Sequence, residues 1–438
     1  MPNAQTRVVV TGIGLITPLG NDVASTWEGL IAGRSGIGPI TLFDTAAYEC
    51  PIAGEVRGLD PSDFVDAKVL RRLDRSSVFA LAGAQLAIAD AGLDMTRENA
   101  KRVGVVLGTG MGSAHLIIEQ QEVLDNKGPR RVSPFMASHM LPDTATGLVA
   151  IATGARGPNF GISAACATGG ATTGEAAEMI ASGRADVMIT GGYEAPITPI
   201  YYAGFHAMKA LAVDEDPTKA VKPFDINRSG FILGEGAGII VLESLEHAQA
   251  RGARIYAEWL GAATSNDAYD MVAAADDGHG IADAMRDVMD RAHIGTADID
   301  YINAHGTGTA LNDRVETNAI RDVFGEEADR LMVSSTKSMI GHMMGAAGAV
   351  EAAIAALACH HGVVPPTINY ETPDPDCNLD YVPNVARTAD VRCAMSTSIG
   401  LGGHNSAIIF GRFRAASCIT SLVCPTGITS LSRNFPLT

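Results

Sequence analysis

Aromatic residues make up only 5% of the 438-residue sequence and charged residues only 18%. Uninterrupted apolar runs long enough to span a membrane are absent. The longest small and apolar stretch, Met343 to Cys359, is broken by Glu351 and falls short of the ~20 residues a spanning helix needs, so it reads as a buried helix. Seven cysteines (Cys50, Cys166, Cys359, Cys377, Cys393, Cys418 and Cys424) form neither a CxxC pair nor a regular framework, which sets aside a disulfide scaffold and fits free thiols in a reducing compartment. No charged leader precedes the first strand-like run in MPNAQTRVVV, so a secretory signal is not expected and the cytoplasm is the expected location. Positive charge is scarce as well: 32 Lys and Arg face 49 Asp and Glu, and the net charge of -17 disfavours nucleic acid as a partner. The run GTGMG, residues 108–112, lacks the full GxGxxG pattern, and no Walker A or HExxH sequence occurs, so no nucleotide cofactor and no zinc site are expected.

What is abundant is glycine, 48 residues clustered beside apolar runs, as where backbones and helices approach closely. Short β-branched runs alternate with helical segments of ten or more residues, which argues for an α/β layered fold around largely buried sheets. The order of these features repeats. A strand (RVVVTGIG, 7–14), a strand entering a Gly-rich turn (VGVVLGTGMG, 103–112) and a small-residue helix (165–183) are followed by RIYAEWLGAATSND (254–267), DIDYINAHGTGTALND (298–313) and a second small-residue helix (341–362). The sequence therefore predicts two similar halves, 1–253 and 254–414, and a loose, dispensable, disordered tail over 415–438.

Three side chains at strand-to-helix or strand-to-turn junctions carry the candidate chemistry. Cys166 lies in GISAACATGGATTG, at the start of a small-residue helix whose N-terminus favours the thiolate, with space beside the sulfur left by Ala and Gly neighbours. A lone cysteine is more often an inert buried side chain, so the setting rather than the residue type makes the case. His305 lies in NAHGTGT directly after a strand-like run, and His342 in STKSMIGH before a helix of small residues. Lys337, five residues before His342, reads as buried. Lys68, Arg71, Arg72 and Arg75 are spaced to form one basic face if they share a helix, a docking surface for an acidic partner.

The motifs ACATG at Cys166, NAHGTGT at His305, STKSMIGH ending at His342 and GLGGHN from Gly400, in that order, closely resemble the elongating β-ketoacyl-[acyl carrier protein] synthases, type II in particular, from about Arg7 to Phe413. The resemblance implies a thiolase-like five-layer αβαβα fold from two duplicated halves, a homodimer, and no cofactor beyond substrates borne on a phosphopantetheine arm. It implies Cys166 as nucleophile, His305 and His342 as partners in decarboxylative condensation with a malonyl thioester, and Lys337 orienting the second histidine with Glu351 as its partner. It further implies backbone N–H groups of Cys166 and Leu401 as an oxyanion hole, Thr307 and Thr309 on the pantetheine arm, and Met111, Ile399 and Leu401 in the acyl pocket. Acyl carrier protein would dock on Lys68, Arg71, Arg72, Arg130, Arg131 and Lys209. Ile399 and Leu401 replace the phenylalanines of the usual FGFGG run, Met111 stands where the type often has isoleucine, and Asp270, Val272 and Ala273 replace a usual His, Thr and Ser. Alternatives within this resemblance are a ketosynthase subunit of an aromatic polyketide system and a non-catalytic carrier-binding homologue.

Overall fold

The computed structural model describes residues 6–49, 51–214 and 216–414; Cys50, Cys418, Cys424 and the expected tail lie outside the described residues. Ten strands build the sheet framework: β1 (Val8–Ile16), β2 (Val103–Gly108), β3 (Asn159–Ile162), β4 (Val187–Glu194), β5 (Gly236–Ser244), β6 (Ala257–Asn266), β7 (Tyr301–Asn303), β8 (Met332–Ser334), β9 (Cys393–Gly400) and β10 (His404–Arg412). Their spatial order is β8-β7-β9-β10-β6-β1-β5-β4-β2-β3.

The two halves of that order have the same topology. From the outer edge inward, β3-β2-β4 run parallel and β4-β5-β1 antiparallel, while β8-β7-β9 run parallel and β9-β10-β6 antiparallel. Only three residue pairs, Val8 with Trp259, Val9 with Glu258 and Val10 with Ala257, join β1 to β6. The hydrogen-bonded sheet is continuous, yet it is two five-stranded sheets meeting at a short ladder. β4 and β5 are buried along their whole length, covered on both faces.

Five helices complete the layers. α1 (Arg75–Ala91) covers the outer face of the first sheet; α3 (His279–Ala292) and α4 (Ala310–Phe324) cover the outer side of the second. Between the sheets lie α2 (Thr168–Ala181) and α5 (Ala347–His361), which contact strands of both halves and each other. Every residue of α5 from Ala347 to Cys359 is buried, including Glu351, as expected of a helix with no solvent face. This is a duplicated five-layer αβαβα fold. The second small-residue segment turns helical later than its sequence suggests: a 3-10 turn, Met344–Ala346, precedes α5 because Met344 takes φ 46°, outside the helical region.

The two central helices touch through glycine. A Cβ on Gly169 would sit 2.2 Å from the backbone N of Ala349, an approach no side chain permits. Gly169→Ala therefore forces α2 and α5 apart; a loss of about 1–3 kcal/mol, read as a lower chemical-denaturation midpoint at unchanged m value, is the expected result.

Candidate active site

A cavity of about 350 Å³ opens where the ends of both halves meet, and Cys166, His305, His342, Thr307, Thr309, Ile399 and Leu401 are among its lining residues. Cys166 stands on a sharp elbow. Ala165 takes φ 48°, a left-handed conformation costly for a residue with a Cβ, and Thr168 locks the turn by accepting from Ala164 N at 2.8 Å and donating to Ala165 O at 2.7 Å. The thiol thus projects into the cavity just before α2 begins.

His342 is clamped by its backbone: its N donates to Ile232 O at 2.7 Å and its O accepts from Gly234 N at 2.9 Å. Its ring Nδ1 accepts from Met344 N at 3.2 Å, and Nε2 faces Cys166 Sγ at 3.1 Å. A backbone amide can only donate, so the neutral ring carries its proton on Nε2, aimed at the sulfur. His305 follows β7, held because its own N and that of Gly306 donate to the two oxygens of Glu316 at 2.7 and 2.8 Å, with the Thr397 hydroxyl adding a third bond at 2.9 Å. The histidine rings stand nearly perpendicular, 5.3 Å between centroids. His305 Nδ1 is buried without a protein partner. Behind them Lys337 Nζ donates to Glu351 Oε1 at 2.5 Å, with both side chains 1% exposed. The Thr307 and Thr309 hydroxyls, 3.0 Å apart, sit toward the mouth.

Residues 5–248 match the family model for the beta-ketoacyl synthase N-terminal domain, and residues 256–371 the model for the beta-ketoacyl synthase C-terminal domain. The chain is a member of the β-ketoacyl synthase family. It is 49% identical over 409 residues to 3-oxoacyl-[acyl-carrier-protein] synthase 2 of Staphylococcus aureus (strain COL), covering 93% of this chain and 99% of that protein. Among solved structures, the ishigamide ketosynthase/chain length factor superposes with a TM-score of 0.89 at 39% identity, covering 94% of this chain and 100% of that one. The ketosynthase in AntDE:AntF, a type II polyketide synthase acyl-carrier protein in complex with its hexaketide-bound ketosynthase, superposes with a TM-score of 0.87 at 35% identity over 93% of this chain and 100% of that one.

Burial sets the electrostatics of the synthase. It pushes the Cys166 thiol up to about 11, against the opposing pull of the Lys337 charge and the Leu401 N–H. Cys166 precedes α2 rather than standing in its first turn, and burial shifts its thiol in the direction opposite to the thiolate that a helix N-terminus favours. Both histidines are held well below the usual imidazole range, first by burial and then by the Lys337 charge, so they are neutral donors. Burial likewise pushes the Glu351 carboxyl up to about 7 while Lys337 pulls it back. The ligating atoms of Cys166, His305 and His342 lie within 4.8 Å of one another. A metal at His342 Nε2 would have to displace the ring proton that the Met344 amide keeps there, so the tautomer suits hydrogen-bond donation better than ligation.

One expectation changes. Lys68, Arg71, Arg72 and Arg75 do not share a helix: Ala67–Leu70 is one short helix, Arg71 and Arg72 lie in the turn after it, and Arg75 opens α1 after the Asp74 cap. Arg75 turns inward to grip both oxygens of buried Glu235 at 2.9 and 2.6 Å, leaving Lys68, Arg71 and Arg72 exposed. Met111 packs against the apolar cluster that contains Cys166, Tyr202 and Phe205. Arg130 and Arg131 are exposed, and Lys209 lies at the cavity itself.

Sequence reasoning missed Glu316 and Asp313, which are fully buried and tie the NAHGTGT turn to α4; Asp313 accepts from Phe224 N and Gly308 N at 2.7 and 3.1 Å. Their three-residue spacing on one helix face was the available signal. It also missed Glu194, whose position at a strand end announces nothing.

Two outcomes are expected. Alkylation of Cys166 by iodoacetamide, scored by mass spectrometry against Cys166→Ala, keeps accelerating as pH rises past 9, the ordinary thiol value; a plateau near neutrality would contradict the buried-thiol account. Lys337→Ala strands a buried carboxyl and lowers stability by about 3–5 kcal/mol, while Lys337→Ala with Glu351→Ala recovers part of that loss in chemical denaturation.

Proposed function

We infer that this synthase elongates acyl chains by decarboxylative condensation, joining an acyl group held on Cys166 to malonyl-[acyl carrier protein] to give 3-oxoacyl-[acyl carrier protein] and carbon dioxide. The observation that carries the reading is the His342 tautomer, with an Nε2–H fixed beside the Cys166 sulfur and a second neutral histidine facing the same space.

In the first half-reaction the sulfur of Cys166 attacks the carrier thioester carbonyl. The carrier thiol leaves with the proton, and a covalent acyl-enzyme remains. His342 Nε2–H and the Leu401 N–H both point at the sulfur and favour its anionic form at the moment of attack, against the burial that keeps it protonated at rest. Backbone N–H groups of Cys166 and Leu401 then receive the developing oxyanion; losing one such donor typically costs about 3 kcal/mol. Gly400 keeps the two amides close, because its Cβ position lies 3.1 Å from Cys166 N.

In the second half-reaction malonyl carrier protein enters past Thr307 and Thr309, whose hydroxyls hold the pantetheine arm. Its thioester carbonyl accepts hydrogen bonds from His305 and His342. Carbon dioxide departs, the electron pair of the broken bond becomes an enolate whose oxygen the two donors stabilise, and its carbon attacks the acyl carbonyl on Cys166. The carbon–sulfur bond breaks and the thiolate is regenerated. Protonated histidines would be poor companions for the Lys337 ammonium, and burial keeps them neutral.

Acyl carrier protein is the acidic partner of this reading, docking on exposed Lys68, Arg71, Arg72, Arg130, Arg131 and Lys209 by electrostatic steering. A homodimer is supported by β3, an edge strand with Asn159 and Phe160 exposed, which a second copy can pair with. Ile399 and Leu401 make an aliphatic gate at the cavity, and Leu401 is 38% exposed there. Among the described residues no helix is long and apolar enough to cross a membrane, and the described cysteines are free, which fits a cytoplasmic protein. Fatty acid elongation is favoured over a polyketide role by 49% identity to the synthase 2 relative against 39% to the ishigamide ketosynthase.

Intact-protein mass spectrometry after incubation with a series of acyl carrier protein thioesters tests the reading: wild type gains one acyl mass and Cys166→Ala gains none. Lack of an adduct on wild type, with the carrier verified on a control synthase, would leave a carrier-binding homologue instead. Malonyl decarboxylation should also show no decline as pH falls through 6.5, the ordinary imidazole value, because both histidines stay neutral there.

A further inference from the structure

Glu194 ends β4 with no exposure to solvent, and no step described so far uses it. Its carboxylate accepts four hydrogen bonds: Oε1 from the Thr109 hydroxyl at 2.6 Å and Met111 N at 3.1 Å, and Oε2 from Gly110 N at 2.7 Å and Gly345 N at 2.9 Å. Three of these donors are backbone amides, which cannot reverse role, so the environment is built for an acceptor on both oxygens. A buried carboxylate is expensive, and one so completely paired points to a backbone arrangement that it alone maintains.

That arrangement leads directly to the chemistry. Gly345 follows Met344, whose strained backbone (φ 46°) presents the N–H that fixes the His342 tautomer. Gly345 and Gly110 are packed so tightly around the carboxylate that a Cβ on Gly345 would lie 2.2 Å from Gly110 N and 2.7 Å from Glu194 Oε2. A Cβ on Gly110 would lie 3.3 Å from the carbonyl of Ala165, the elbow residue beside Cys166. One carboxylate thus ties the 109–111 turn and the 344–345 turn together beside the nucleophile elbow.

We propose that Glu194 is a positioning residue for the decarboxylation half-reaction: by holding the Gly345 amide it keeps the Met344 N–H on His342 Nδ1 and so keeps the ring proton on Nε2. The proposal rests on the function inferred above for its kinetic readout, but its structural readout, the tautomer, stands apart from that function.

The ring tautomer separates this role from a general structural one. Losing the Gly345 tie frees the Met344 N–H from His342 Nδ1 and slows decarboxylation. General damage to the site slows decarboxylation while the wild-type tautomer is kept. Glutamine can keep an acceptor toward Gly345 only by placing its NH2 against the Met111 N–H, so Glu194→Gln is the milder variant and Glu194→Ala the severe one.

The experiment uses the full chain as wild type, Glu194→Gln and Glu194→Ala. It measures kcat and KM for decarboxylation of malonyl carrier protein and the ¹⁵N shifts of the His342 ring assigned against His342→Ala. Expected is a kcat reduced roughly three- to tenfold in Glu194→Gln and more in Glu194→Ala, with KM little changed, and a His342 Nδ1 signal displaced from that of wild type. A folded Glu194→Ala with the wild-type tautomer signature and kcat overturns the proposal. If Glu194→Ala does not fold, Glu194→Gln decides, and an unchanged ¹⁵N signature in it is equally fatal. Should wild type itself fail to decarboxylate, the inferred function falls, while the ¹⁵N comparison still judges whether Glu194 sets the tautomer.

Discussion

The close crossing of α2 and α5 is the constraint on which the rest of the molecule depends. Each helix belongs to a different half, and each is approached by a segment that carries chemistry: Cys166 on the elbow before α2, and Lys337 and His342 before α5. Only glycine and alanine at the contact let two backbones come near enough for a thiol from one half to lie 3.1 Å from an imidazole of the other. The abundance of glycine therefore serves distance. Duplication supplied the symmetric frame, and the small-residue crossing turned that frame into a single site.

Burying the site has electrostatic consequences that are managed group by group. The thiol is pushed up, the two imidazoles are pushed down, and the Glu351 carboxyl rises toward neutrality beside its ammonium partner. Burial also raises the Glu316 and Glu194 carboxyls, Glu194 to about 7, and backbone N–H groups at the turns that carry His305 and follow His342 pull them back. Each such carboxylate fixes a turn, and each turn fixes a ring.

The layered α/β class and the duplicated order of elements were legible because Gly-rich turns and small-residue helices recur in the same sequence in both halves. Cys166, His305 and His342 were legible because each ends a strand-like run and sits in a motif. The basic run at Lys68 to Arg75 was legible as charge but not as a surface, since spacing at helical intervals says nothing about the Asp74 cap that splits it or the buried Glu235 that draws Arg75 inward. Met111 was placed by motif position, while its packing depends on Tyr202 and Phe205, distant in the chain.

Which side chains are available, and the repeated order of elements, could be read from local patterns of glycine, apolar residues and reactive side chains along the chain. Protonation and tautomer could not be read there. Those depend on burial and on single amides, Met344 N on His342 and Leu401 N near the Cys166 sulfur, that arrive from segments whose placement no local pattern encodes.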